Sequence, residues 1–304
     1  MSGSTRALPS SSELAAEAVT GRTTSRGFLA RARRVLVRNR TALWGTLFIA
    51  FFVLMAIIGP AIAPYDPYAV TLSERFQPPG ASHWFGTDNL GRDILTRTLY
   101  GARISLWVGV LTVSLAMVVG VPLGLIAGYR RGFIDSALMR LVDVFLAFPV
   151  IILAIAIVAV RGPSLTNVMV ALVAVYWTTY ARITRGVTLV LRQEDFVLAA
   201  ESIGVPAWRT MARHLLPNAM APILVIATLG LGNAILAEAA LSFLGLGIQP
   251  PEASWGSMLN FGMQFLRDAP WLTIFPGLAI FFTVLGFNML GDGLRDAMDP
   301  RLRQ

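Results

Sequence analysis

The chain has no cysteine, no lysine, and only two histidines, His83 and His214, in 304 residues. Without cysteine there is neither a disulfide framework nor a thiol nucleophile, and two histidines are too few ligands for a structural zinc site. A phosphate-cradling P-loop needs its lysine, so this chain carries no ATPase site of that type. Charge is scarce as well: 14% of residues are charged and 55% hydrophobic, with a mean hydropathy of +0.65. That balance excludes an ordinary soluble domain and points to a polytopic membrane protein.

What the chain does have is apolar length. Runs of roughly 20 residues, enough to cross a hydrocarbon core, occur at about 42–64, 104–128, 137–160, 167–190, 219–243 and 271–291. In lipid the backbone must satisfy its own hydrogen bonds, and runs this long suit helices rather than the short alternating strands of a barrel. The expected fold is therefore an all-α membrane protein with six transmembrane helices.

All 25 basic residues are Arg, and the net charge is +8. Eight Arg precede the first run, three fall in 130–140, five in 182–213 and three after the last run. With a cytoplasmic N-terminus these groups share one side, as the positive-inside rule requires, so both termini and the segment 194–217 are expected in the cytoplasm. Sorting by membrane side rather than into one stripe argues against nucleic acid as a partner. The cluster Arg31, Arg33, Arg34, Arg38 and Arg40 abuts the first run and is placed to touch anionic membrane lipids.

Residues 1–28 are rich in Ser, Thr, Ala, Gly and Arg without apolar periodicity and read as a disordered cytoplasmic tail. Residues 29–103 form an N-terminal region with the first span and an external segment, and 104–304 a core of five further spans. In the external segment Thr87 or Asp88 is expected to cap a short interfacial helix from Arg92 to Tyr100. That segment serves either as a lid packed on the bundle or as a substrate contact. Pro149 is expected to kink the third span. His83 reads as a loop residue and His214 as a surface residue, neither a metal ligand.

The polar segment from Glu194 to Pro217, between two apolar runs, reads as a docking hairpin. Phe196, Ala199, Ala200 and Ile203 fall at i, i+3, i+4 and i+7, one face of a helix. Gly204 ends that helix and Pro206 suits the first turn of another, on which Trp208, Met211, Ala212 and Leu215 repeat the spacing. Two short amphipathic helices must set their apolar faces against the bundle or against a second protein. Within the spans, Glu238 lies among apolar neighbours in the outer part of the fifth run, where a carboxylate at membrane depth marks a pathway by default; the alternative is a hydrogen-bonded packing residue. Asp143, near the cytoplasmic end of the third run, is within reach of Arg140, Arg182 or Arg185, and a structural ion pair outweighs transport chemistry there.

LAAESIGVPAWRTMARHLLPN resembles the EAA motif of ABC-importer permeases: Ala199, Ala200, Gly204, Leu216 and Pro217 match in register, while Leu198 and His214 stand where the motif has Glu and Ile. FGTDNLGRDILTRTLYGARISL, LMRLVDVFLAFP, AILAEAALSFLGLGIQPPEASWGSML and PWLTIFPGLAIFFTVLGFNMLGDGLRDAMDPR are similar to the second permease subunit of dipeptide and oligopeptide importers. Nickel-importer permeases look alike. The resemblance covers roughly residues 30–303. It implies a type I ABC-importer permease fold in a bacterial cytoplasmic membrane, with a cytoplasmic coupling helix that includes Glu194, Asp195 and Phe196. It also implies three kinds of partner: a second homologous permease, two ATP-binding subunits or one fused ATPase, and an extracytoplasmic substrate-binding protein. ATP and Mg would be bound by the ATPase, and this chain would hold no cofactor. A nickel or other small-solute importer, and an ion-coupled transporter working without an ATPase through Glu238 and Asp143, are the rival readings.

Overall fold

The computed structural model describes residues 39–298, so the expected tail, Arg31 to Arg38, and Arg301 and Arg303 lie outside the described residues. The described chain is helical. In order it contains α1 (Arg40–Ile62), a 3-10 turn Leu72–Glu74, α2 (Ile94–Arg130), α3 (Gly132–Leu146), α4 (Val150–Arg161) and α5 (Leu165–Leu191). There follow α6 (Asp195–Ser202), α7 (Ala207–Thr210), a π turn Met211–Leu215, α8 (Leu216–Phe243), α9 (Trp255–Met263) and α10 (Trp271–Met298).

Four helices are long and apolar enough to cross a membrane: α1, α2, the continuous Ala207–Phe243 and α10. A fifth appears if α3 and α4, bent by 84° at their junction, are counted as one span. The 27-residue α5 is long enough but mixes Thr, Tyr, Asn167, Arg182 and Arg185 with its Leu and Val, and falls outside that apolar class.

Three expectations are corrected. The third run is not a kinked helix but two helices separated at Ala147–Pro149, because Pro149 is itself extended (φ −57°, ψ 130°) and proline disfavours helical backbone in the residue before it. The short helix expected from Arg92 to Tyr100 is instead the N-terminal end of α2, which starts at Ile94 and runs for 37 residues. Its cap is neither Thr87 nor Asp88 but Asp93, whose Oδ2 accepts the Thr96 N–H at 2.7 Å. Finally, the second helix of the hairpin is no separate element: α7 continues through the π turn into α8. The π turn comes just before Pro217, which has no N–H for a regular i→i−4 bond, and the wider ladder, closed by Leu216 N–H to Met211 O, carries the helix past it.

The bundle closes on a seam of glycines. Gly120, Gly124 and Gly128 recur every fourth residue on α2 and so share one face, laid on α5. A methyl group would stand 2.3 Å from the Trp177 carbonyl oxygen at Gly120, 2.4 Å from the Ala181 carbonyl oxygen at Gly124, and 2.7 Å from Thr188 Cβ at Gly128. Around the seam a core of Val142, Tyr180, Val197, Leu215 and Ile223 joins α2, α3, α5, α6 and α8. A second core gathers α1, α2, α8, α9 and α10 about the fully buried Trp255. A third joins α4 and α5 to α8 through Val158, Leu172 and Leu241.

Replacing Gly124 by Val should force α2 off α5 and destabilise the bundle by about 1–3 kcal/mol. Gly186→Ala, at a position with open space around it, should leave the apparent melting temperature in mild detergent unchanged. Equal melting temperatures for the two variants would show that the seam does not hold the helices together.

Candidate functional site

The hairpin begins with Glu194 at the N-cap of α6 and Asp195 in its first turn, where acidic side chains complement the helix dipole. It ends in a Schellman arrangement: Gly204 takes φ +77°, its N–H reaches Glu201 O and the Val205 N–H reaches Ala200 O, each at 3.0 Å. Pro206, at φ −65°, is the N-cap of α7, one position earlier than expected.

The apolar residues of the hairpin divide between two faces. Val197, Ala200 and Leu215 are buried in the bundle core, and Thr210 is buried beside them. Phe196, Ile203 and Trp208 point the other way, 40%, 81% and 63% exposed, and Ala199 and Ala212 are exposed too. Neither face is the one read from spacing: Ala200 parts from Phe196, Ala199 and Ile203, and Leu215 parts from Trp208 and Ala212. Val197, Ala200, Glu201 and Gly204 satisfy the same helical period, so periodicity alone did not choose between the stripes.

A polar clasp, missed in the sequence, fastens the hairpin to the bundle. Arg192, just after α5, donates from Nη1 to the Tyr129 carbonyl at 2.8 Å and lies over the Tyr129 ring at 5.2 Å. Its Nε is 3.6 Å from Glu201 Oε1. The sequence signal was an Arg before the first hairpin helix and a Glu in its last turn, nine positions apart; nothing in it tied them to Tyr129. Leu216 and Pro217 open α8.

The two intramembrane carboxylates occupy different surroundings. Asp143 is ion-paired with Arg182, and both side chains are more than half exposed. Arg185 instead grips Asp135 with two bonds, Nε at 2.5 Å and Nη2 at 2.7 Å. Glu238 is fully buried. Ser242 donates to its Oε1 at 2.7 Å and Ser105 to its Oε2 at 3.4 Å, and Ser105 also accepts the Trp255 backbone N–H at 3.3 Å. The structure therefore does not bring Glu238 and Asp143 into one network.

Outside the spans, His83 is no simple loop residue. It is buried, with Nδ1 2.9 Å from Asp93 Oδ1, Nε2 3.6 Å from Glu74 and its ring centroid 4.7 Å from that of Tyr65. The segment around it packs on the bundle: Phe85 stacks on Phe275 at 3.9 Å, and Trp271 Nε1 donates to Thr87 O at 3.1 Å. His214 is half-buried on the hairpin.

Membrane-length helices closed around a small-residue seam, with an apolar hairpin face left open at one end, make a helical membrane component built to dock. The chain belongs to the family described as binding-protein-dependent transport system inner membrane component, which matches residues 120–304. Residues 27–79 match the N-terminal TM domain of oligopeptide transport permease C. The dipeptide transport system permease protein DppC of Alkalihalophilus pseudofirmus is 49% identical over 272 residues, covering 90% of each chain. The oligopeptide transport system permease protein OppC of Bacillus subtilis is 42% identical over 266 residues, covering 88% of this chain and 87% of its own. The solved MetNI methionine ABC transporter, in an inward-facing conformation, aligns with a TM-score of 0.54 over 67% of this chain and 97% of the matched chain. At 18% identity that likeness is one of fold.

Val197→Asp places a carboxylate against Leu215 and Ala200 with no partner. It should cost about 3 kcal/mol or more and lower the melting temperature of the purified protein. Ile203→Asp, on the open face, should melt like the parent chain. If Ile203→Asp melts as early as Val197→Asp, the division of the hairpin into two faces is wrong.

Proposed function

We propose that this chain forms half of the translocation pathway of an ATP-driven importer that carries dipeptides or oligopeptides inward across the cytoplasmic membrane by alternating access. The observation that carries this reading is the hairpin's open face. Among the described residues Phe196, Ile203 and Trp208 stand exposed, Trp208 covered only by the neighbouring Arg209 guanidinium at 5.4 Å, while Val197 and the Arg192 clasp fix the opposite face to the bundle. An exposed apolar helix face of this kind suits insertion into a groove of a second protein. A chain without a P-loop lysine takes its energy from such a partner, here two ATP-binding subunits or one fused ATPase holding ATP and Mg. The ATPase-coupling residues are Glu194, Asp195, Phe196, Ala199, Ala200, Ile203, Gly204, Pro206, Leu216 and Pro217. The family match and the permeases named above for dipeptides and oligopeptides support the importer and its cargo.

In this reading α5 and the α3–α4 pair join the four apolar helices as spans five and six, and both termini and the hairpin are cytoplasmic. A homologous permease supplies the other half of the pathway, and an extracytoplasmic binding protein delivers cargo to the opposite face. The Asp143–Arg182 pair anchors the inner ends of α3 and α5. Glu238 borders the outer pathway once the helices around Ser105 and Ser242 separate, since the two packings of an alternating-access bundle differ in which polar groups they enclose.

Co-purification in mild detergent from the native host should bring down a second permease and nucleotide-binding subunits, with ATPase turnover stimulated by peptide and its binding protein. A chain that purifies alone and moves substrate in liposomes without ATP would sink the proposal. Gly204→Arg should abolish peptide-stimulated ATPase turnover while the protein still reaches the membrane, because the position tolerates only glycine-like backbone and lies on the open side of the hairpin. Intact turnover in that variant would place energy coupling elsewhere.

A further inference from the structure

Two buried arginines that the transport reading leaves unused stand at the outer end of α2. Arg92 and Arg97 are 8% and 7% exposed. Both line a cavity of about 150 Å³ bounded by the first turns of α2, the loop around Pro250, α9 and the start of α10. Among the described residues Asp88 is the carboxylate within 4.0 Å of them. Its Oδ2 accepts from Arg92 Nε at 2.7 Å and lies 4.0 Å from Arg97 Nε. Its Oδ1 is taken by the Leu90 and Arg92 backbone N–H groups at 2.8 and 3.0 Å. Arg97 Nη1 donates to the Pro67 carbonyl at 2.9 Å and, at 3.5 Å, to the Pro251 carbonyl. A guanidinium carries five N–H donors, so among the described residues each arginine commits only one nitrogen. Glu252 lies at the cavity wall and forms no ion pair with either arginine among the described residues.

Two guanidinium groups that share Asp88 and make no ion pair with Glu252 keep free donors for a further carboxylate, and planar forked donors are the side chains that hold one best. Apart from Glu252 and Ser257 the rest of the wall is apolar, with Ile94, Ile248, Met258, Phe261 and Leu272. A cavity this size takes in about one ring-sized side chain. The ligand class that meets both demands is an amino-acid residue with a free carboxylate and an apolar side chain. An acidic side chain from another protein would bring the charge but leave the apolar wall uncovered.

We infer that this cavity is a receptor for the C-terminal residue of a peptide, its carboxylate on Arg92 and Arg97 and its side chain against Met258 and Phe261. The inference rests on the importer reading and on the orientation that turns this end of α2 outward. It assigns the permease itself a part in selecting cargo, through the free C-terminus.

The test uses the absence of cysteine. Leu90→Cys puts the single thiol of this subunit at the cavity wall, and its alkylation by N-ethylmaleimide is followed in the whole complex without binding protein. Leu-Leu should slow labelling, Leu-Leu amide should need about tenfold higher concentration, as loss of a charge-assisted pair implies, and Arg97→Gln should erase the difference. If Arg97→Gln does not assemble, Arg92→Gln, which spares the Pro67 and Pro251 carbonyl bonds, serves instead. Equal protection by acid and amide, or protection by peptide-free binding protein alone, overturns the inference. Peptide uptake with binding protein is measured in parallel. Uptake without protection overturns the receptor site and leaves the importer standing, whereas the absence of ATP-driven peptide uptake overturns the importer reading itself.

Discussion

In hydrocarbon, apolar side chains gain nothing by leaving lipid for one another, so helices are held by close backbone approach and by polar contacts that lipid cannot replace. The seam of Gly120, Gly124 and Gly128 supplies the first of these, and the hairpin half of the molecule is arranged around it. With α5 laid on the α2 backbone, Arg182 and Arg185 are positioned to hold Asp143 and Asp135 of α3, and Arg192 is carried to the Tyr129 carbonyl at the inner end of α2. The hairpin is thus seated by the same contact that closes the bundle. Its core residues Val197 and Leu215 then fill the space that the two helices and α3 enclose.

The half opposite the hairpin is organised by α9 and by polar contacts to α2. Ser254 and Ser257 form a capping box that starts α9, and Trp255 is driven into the bundle, with Nε1 donating to Thr98 O at 3.0 Å. Gly101 leaves room for that ring: a Cβ there would lie 3.1 Å from Trp255 Cδ1. Ser105 accepts the Trp255 backbone N–H while donating to Glu238, so the external helix, α2 and the buried carboxylate of α8 share one hydrogen-bond chain. A carboxylate at membrane depth is tolerable because its partners are neutral hydroxyls already fixed by packing.

Much of this was legible in the sequence. The six apolar runs fall on helices, and Gly204 stops α6 as a glycine with no Cβ in left-handed backbone does. The misses have two causes: local proline effects at Pro149 and Pro217, and contacts between distant segments elsewhere. Pro149 divides the third run because it is itself extended and follows the Ala147 cap of α3, and a proline in an apolar run does not disclose whether it will kink or divide it. The glycine seam reads as three ordinary residues until α5 is placed on it. The two faces of the hairpin share one period, so only the bundle decides which is covered. Asp93 displaced Thr87 and Asp88 as helix cap because those two are held in loop bonds, Thr87 Oγ1 to Glu74 O at 2.5 Å and Asp88 to Arg92.

The π turn joins the hairpin to α8 without interruption, and Ala207–Phe243 is one 37-residue helix. At about 1.5 Å per residue such a rod is roughly 55 Å long, more than the thickness of a bilayer with its headgroups. One end carries Trp208 and the other lies next to Glu238, so in the proposed importer the piece that a cytoplasmic neighbour would grasp and the piece that would border the outer pathway are a single lever. Tilting its handle moves the far tip in the same stroke, with no relay of side chains in between.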